Sequence, residues 1–219
     1  MADVSPLGHL RVIAAPGQGV DSERMPVLLA ALVVTVHLFD AYGVPPHDLN
    51  VAMSVASSTL SRAGVETRWI ACTKGDTSPG CQTVLPPGDV ILRIRPGATN
   101  GLAPMALGSA LVNRELRTGV IATLYADRVA DVSHRSGTAA GTLLGWAAAH
   151  ELGHLLLGST SHPRRGLMRA LWTSRELQRG WESDWMFTPG EVNQIHARAT
   201  ERARARAENG TRRAGPILG

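Results

Sequence analysis

The segment 138–157 constrains this chain most, because it is apolar nearly all round and yet contains His150, Glu151 and His154. A helix with such a surface has no face suited to water, so it belongs in the core of a folded domain. Gly158 follows directly, and glycine commonly ends helices. A buried carboxylate is costly without a partner, so the segment predicts a buried helix whose three polar side chains act together.

The spacing of these side chains indicates a metal site. Residues four apart lie on the same face of a helix, so His150 and His154 can bind one ion. Glu151 completes the H-E-x-x-H pattern, in which Zn²⁺ lowers the pKa of a water to about 7 and the carboxylate removes its proton. The alternative is a pair of core histidines beside an unpaired carboxylate. We expect Zn²⁺ as cofactor, with Glu151 as general base.

A catalytic zinc needs a third protein ligand from outside this helix. The chain after His154 reads L-L-L-G-S-T-S-H, so that the glycine lets the chain reverse and His162 can return to the ion. His162 is the nearest donor in sequence, and neutral imidazole suits zinc. The other candidates are Glu176, Glu182 and His196.

Residues 147–172 resemble the metzincin zinc peptidases, whose motif is H-E-x-x-H-x-x-G-x-x-H followed by a Met-turn. The glycine and the third histidine come later here, with seven residues rather than five between His154 and His162. This spacing is similar to a group of small bacterial proteins with an extended metzincin-like motif. The resemblance implies a zincin-like fold, a zinc endopeptidase activity and a Met-turn at Met168. Gluzincin-type peptidases instead take a downstream glutamate, which would be Glu176.

Two other functions are compatible with the sequence. One is a catalytically silent zinc-binding module of the same fold, although an intact Glu151 favours catalysis. The other is a nucleic-acid-associated protein, because the net charge is +4 and arginines are concentrated in 198–213. No nucleic-acid-binding motif accompanies them, so a solvated basic helix is the better interpretation. We expect a peptide or protein substrate, no nucleic-acid partner and a monomer.

The two cysteines, Cys72 and Cys81, flank a short polar loop. They predict a disulfide and a secreted or periplasmic protein, with free thiols in the cytoplasm as the alternative. The apolar run 26–39 is too short to span a membrane as a helix. It could be the apolar region of a signal peptide, but its β-branched residues favour a first strand.

Hydrophobic periodicity predicts an α/β fold: a twisted mixed sheet with a backing helix and a buried active-site helix, then an irregular C-terminal part with a terminal helix. The predicted strands are 31–39, 65–71, 89–95, 105–112 and 119–125. The predicted helices are 48–62, 138–157 and 189–208. The predicted organisation is a flexible leader (1–24), an N-terminal subdomain (25–158), a C-terminal subdomain (159–208) and a disordered tail (209–219).

Several side chains are weaker candidates for the site. Tyr125 at a strand end could assist an oxyanion or simply pack in the core. His134 and Arg135 lie in a predicted loop and could line the cleft or face solvent. Three tryptophans could form a specificity wall or pack beneath the C-terminal loops: Trp172, Trp181 and Trp185. A peptide could add in extended form to the edge strand 105–112.

Overall fold

One helix separates the first two strands, and the other helices follow the last strand, giving a mixed five-stranded sheet, so the fold class is α/β, as predicted. The structure, a computed structural model, describes residues 32–73, 76–78, 80–81, 85–86, 88–97, 106–113 and 115–213, with backbone alone beyond residue 201. The predicted leader 1–24 lies outside these residues. The described residues belong to one compact unit, Ala31–Gly219, and the predicted boundary between subdomains at residue 158 stays a prediction.

The sheet has the strand order β2-β1-β3-β5-β4. Strands β1, β2, β3 and β5 are parallel to one another, whereas β4 is antiparallel to β5 and lies at the edge. The strands are β1 Leu32–Asp40, β2 Val65–Cys72, β3 Val90–Arg95, β4 Gly108–Asn113 and β5 Thr118–Tyr125. The five predicted strands are therefore all present, and the run at 32–39 is a strand.

Helices α1 and α3 pack closely on each other, because two glycines of α3 face α1. A Cβ added to Gly141 would lie 2.9 Å from Val51 Cβ, and one on Gly145 would lie 2.6 Å from Val55 Cβ. The helices are α1 Pro46–Ser61, α2 Ala126–Ser136, α3 Ala140–Leu157, α4 Ser174–Arg179 and α5 Pro189–Arg213, with a 3₁₀ turn at Glu182–Trp185. Glycine at these positions brings α3 near enough to α1 to exclude water between them.

Helix α3 is the centre of the core, as its composition predicts. Leu143 and Leu155 are fully buried, and alternate strand residues such as Val36 and Leu124 pack in the same cluster. Each such side chain stabilises the fold by about 1.5–3 kcal/mol through removal of apolar surface from water. The histidines of α3 are therefore held by a rigid, close-packed element.

The structure corrects three boundaries. The loop predicted around His134 and Arg135 is helix α2, which is mostly polar and buries only Ala126, Val129 and Ser136. The segment predicted as irregular, 159–188, contains α4 and the 3₁₀ turn. Helix α5 continues to Arg213 rather than ending at about residue 208.

Cys72 and Cys81 form a disulfide with a Cα–Cα distance of 5.6 Å, as predicted. The bond joins the end of β2 to the polar loop that follows it. Among the helices in the described part of the chain, none has the length and apolar character to cross a membrane.

Candidate metal centre

Helix α3 brings two of the predicted ligands together. His150 and His154 are both buried, and their Nε2 atoms are 3.1 Å apart. The four-residue spacing therefore places both imidazoles on one face of the helix, as the sequence predicts.

His162 joins this pair from the loop that follows α3. Its Nε2 lies 3.1 Å from Nε2 of His154, and one ligand atom from each of the three histidines lies within 4.8 Å of the others. Within the described residues, this is the one group of three such side chains that could hold a metal ion. The three predicted histidines thus form a candidate metal centre.

The chain reaches His162 because α3 ends at Gly158. This glycine has a φ of +59°, and a Cβ there would lie 2.2 Å from the carbonyl oxygen of Arg117 in the turn between β4 and β5. Only glycine accepts both the left-handed conformation and this close approach. The glycine also places Ser159, whose carbonyl accepts a hydrogen bond from His154 Nδ1 at 2.7 Å.

Hydrogen bonds fix the orientation of the two helical histidines. His150 Nδ1 donates to the carbonyl of Leu167 at 2.9 Å, just as His154 Nδ1 donates to a carbonyl. A carbonyl can only accept, so Nδ1 carries the proton in both rings and each neutral ring has a lone pair on Nε2. Two facing lone pairs at 3.1 Å cannot form a hydrogen bond, whereas a shared cation satisfies both. The residues present therefore fit a metal ion.

The ionisation of the three histidines also suits a metal. Burial, together with the nearby His154, lowers the pKa of His150 to about 3. Burial likewise lowers the pKa of His154 and, less deeply placed, of His162. Metal ligands must be unprotonated, so the protein environment favours the binding form at neutral pH.

Glu151 lies beside the ligands in a dry environment. It is 6% exposed, its Oε2 has no hydrogen-bond partner among the described residues, and burial raises its pKa to about 8. Strand β4 passes over it: a Cβ on Gly108 would lie 2.7 Å from Glu151 Cγ. The centre therefore includes a buried carboxyl group that, without a metal ion, holds its proton more tightly than an exposed glutamate does.

Met168 packs against the same helix from the loop after His162. It is fully buried, and a Cβ on Gly153 would lie 2.6 Å from its sulfur. The chain reaches this position through Gly166, which has a φ of +79°. Met168 thus contacts α3 between the positions of the two helical histidines.

The other candidate ligands are engaged elsewhere. Glu176 caps α4 and lies 3.4 Å from Arg169 Nε. Glu182 forms an ion pair with Arg62, and His196 Nε2 donates to a backbone carbonyl at 2.9 Å. The structure therefore does not bring these three side chains into the group formed by the histidines.

Of the three predicted tryptophans, Trp172 contacts the centre, and Trp185 packs against Trp172. Trp172 meets the His150 ring edge-on with centroids 5.7 Å apart, and Trp185 lies 5.2 Å from Trp172. Trp185 also stacks on Trp146 of α3 at 3.9 Å, a contact that sequence reasoning missed. Trp181 is 61% exposed, so it does not belong to this aromatic cluster.

The contacts of the remaining candidates involve residues other than the three histidines. Tyr125 is buried, and its hydroxyl hydrogen bonds with Ser109 at 3.0 Å. His134 and Arg135 are exposed in the last turn of α2, where Arg135 forms an ion pair with Asp131.

Comparison with known proteins found no match in two searches. No protein-family model matches this chain, and no curated protein is similar enough to match it.

Proposed function

We propose that this protein is a zinc-dependent peptidase in which His150, His154 and His162 hold Zn²⁺ and Glu151 is the general base. The observation that carries the proposal is the convergence of the three Nε2 atoms. In His150 and His154 the proton is on Nδ1, which donates to a carbonyl, so Nε2 of each neutral ring carries a lone pair. An arrangement of facing lone pairs is unfavourable unless a cation lies among them.

The donor set favours zinc over other common ions. Ca²⁺ and Mg²⁺ prefer oxygen ligands, whereas imidazole suits zinc. Tetrahedral Zn–N bonds of about 2.0–2.1 Å require ligand nitrogens about 3.3 Å apart. The two Nε2 separations that involve His154 are both 3.1 Å, and the ligand atoms of all three histidines lie within 4.8 Å of one another. Three protein ligands leave one position open, which is typical of catalytic rather than structural zinc.

Glu151 supplies the proton transfers of the proposed reaction. When bound, zinc supplies a Lewis acid that polarises a carbonyl and makes water acidic near neutral pH. Oε2 of Glu151 has no partner in the described residues, so it is available to take a proton from the attacking water. The same carboxyl then gives that proton to the leaving nitrogen of the peptide bond. The positive charge of a bound ion beside Glu151 would favour the ionised carboxylate that this first step requires.

The edge of the sheet supports a peptide as the substrate. Strand β4 pairs with β5 alone, so within the described residues its other edge is open to an extended chain. Gly108 at its start contacts Glu151. A peptide that adds to this edge as another strand passes close to the carboxylate. A disulfide suggests that the reaction takes place in an oxidising compartment, as in a secreted or periplasmic protein.

The test combines metal analysis with cleavage of a peptide library. We expect wild type loaded with Zn²⁺ to hold one ion per chain and to cleave peptides. Glu151→Gln keeps the ion but loses cleavage by about 100-fold or more, because general base catalysis is lost. Glu182→Gln, which changes a glutamate outside the centre, serves as the matched control and keeps both properties.

Two results would contradict the proposal. Absence of zinc after loading rejects the metal site itself. Zinc bound by wild type without cleavage of any library peptide instead supports the catalytically silent module.

A further inference from the structure

The turn at Gly166 to Met168 orients a ligand of the proposed metal site. Its Leu167 carbonyl accepts hydrogen bonds from His150 Nδ1 at 2.9 Å and from Trp172 Nε1 at 3.3 Å. The backbone N–H of Leu167 donates to the Met186 carbonyl at 2.8 Å. The position of the Leu167 backbone therefore sets the direction of the His150 ring.

A buried arginine holds the turn in place. Arg169 is 6% exposed, and its Nη1 donates to the carbonyls of Gly166 and Asp184, both at 2.7 Å. One guanidinium nitrogen thus joins the turn to the 3₁₀ turn that follows in the chain. Gly166 directly precedes Leu167, so this contact acts one residue away from the carbonyl that His150 uses.

The charge of Arg169 is compensated within the same region. Glu176 Oε1 lies 3.4 Å from its Nε, and the guanidinium lies 5.1 Å from the centre of the Trp185 ring. Trp185 in turn stacks on Trp146 of α3. A buried cation beside a metal site would repel the metal, and the carboxylate of Glu176 offsets that repulsion.

We infer that Arg169 is a positioning residue for the proposed metal site: its two carbonyl contacts hold the Leu167 peptide so that His150 presents Nε2 to the ion. The inference rests on the proposed function. Lysine has a single point of charge and no planar fork, so it cannot reproduce the two carbonyl contacts together with the ion pair and the contact with the Trp185 ring.

The experiment measures zinc affinity by competition with a chelator, and thermal stability in parallel. Loss of an outer partner of a metal ligand weakens binding by about 10–100-fold, so we expect Arg169→Met to weaken zinc binding at least about tenfold. Arg169→Lys should fall between Met and wild type. In NMR spectra of the zinc-loaded protein, the signal of the His150 Nδ1–H should shift or disappear in Arg169→Met. It should stay unchanged in a control variant that leaves the turn at 166–168 intact.

Arg179→Met is the matched control. Arg179 also binds the 3₁₀ turn, through the Asp184 carboxylate at 2.7 and 2.9 Å, but among the described residues it forms no hydrogen bond or ion pair with the turn at 166–168. It should reduce stability while zinc affinity stays within about twofold of wild type, since no outer partner of a ligand changes. A purely structural role for Arg169 predicts that the two variants behave alike.

A double variant guards against a failure to fold. Arg169→Met with Glu176→Gln removes both charges of the buried pair, which avoids an isolated carboxylate and keeps a capping side chain on α4. Its zinc affinity should fall as in the single variant. Wild-type zinc affinity in Arg169→Met and in the double variant overturns the inference. Absence of zinc binding in wild type overturns the proposed function.

Discussion

The two parts of the candidate metal centre differ in how the protein holds them. His150 and His154 lie on a buried helix, and each donates from Nδ1 to a backbone carbonyl. His162 lies on an exposed loop, and no hydrogen bond to its Nδ1 is present among the described residues. The helical pair is thus oriented before any metal binds, whereas the loop histidine is positioned chiefly by its contact with the pair.

From this difference we expect the helical histidines to supply most of the affinity for the proposed metal ion and the loop histidine to complete its coordination shell. Preorganised ligands lose little freedom on binding, and buried ligands cannot be replaced by water without leaving a cavity. An exposed ligand loses more freedom, and water can take its place.

The largest expected effect separates the two kinds of ligand directly. We expect His150→Ala to weaken zinc binding by more than about 100-fold, beyond the loss typical for an outer partner, because a direct and buried ligand is removed. His162→Ala should weaken it less. Chelator competition measures both, with the exposed His134→Ala as control. Equal losses at the two positions would contradict the comparison.

The second effect concerns two carboxyl groups, Glu151 beside the helical histidines and Glu176 beside Arg169. Burial raises the pKa of Glu151 to about 8, so in the metal-free protein the folded state retains a proton that the unfolded state loses above its usual pKa. Glu151 therefore stabilises most below about pH 4.5, and that contribution is lost as the pH rises through about 8. Relative to Glu151→Gln, wild type should lose a few kcal/mol over this interval, on the order set by 1.4 kcal/mol per pKa unit.

Glu176 should show the opposite sign. Although burial acts against it, hydrogen bonds from Thr173 and the charge of Arg169 lower the pKa of this carboxyl. Its contribution is present above the usual glutamate pKa and is lost as the pH falls through the lowered value. Urea unfolding in the presence of a chelator, from pH 4 to about 8.5, gives the free energy of unfolding of Glu151→Gln and of Glu176→Gln relative to wild type. If the difference in the free energy of unfolding between wild type and Glu151→Gln does not vary with pH, Glu151 is not desolvated.

Sequence predicted the helical part of the centre almost completely. The apolar run, the four-residue histidine spacing and the terminal glycine are local patterns, and local patterns survive folding when tertiary contacts agree with them. His162 was predicted from its proximity in sequence, from the reversal that Gly158 permits and from the resemblance to an extended metzincin-like motif. The Leu167 carbonyl and Arg169 could not be predicted, because a backbone acceptor has no sequence signature and a buried arginine looks the same as an exposed one. Helix α2 was missed for a related reason, since its buried face is small.

The smallest expected effect tests Gly158, where the helical part joins the loop. Gly158 and Gly180 both end helices in the left-handed conformation, with φ of +59° and +60°. A Cβ on Gly180 meets nothing within 4 Å, whereas one on Gly158 meets the Arg117 carbonyl at 2.2 Å. Alanine at 180 should therefore cost about 1 kcal/mol for the conformation alone.

Alanine at 158 should cost at least about twice as much, because the turn between β4 and β5 must also move away from the helix end. This movement shifts Ser159, whose carbonyl orients His154. Gly158→Ala should for that reason weaken zinc binding as well as stability, while Gly180→Ala changes stability alone. Urea midpoints and chelator competition on the two variants separate these effects. Equal stability losses with unchanged zinc affinity would show that the loop can be displaced from the helix without disturbing the ligands.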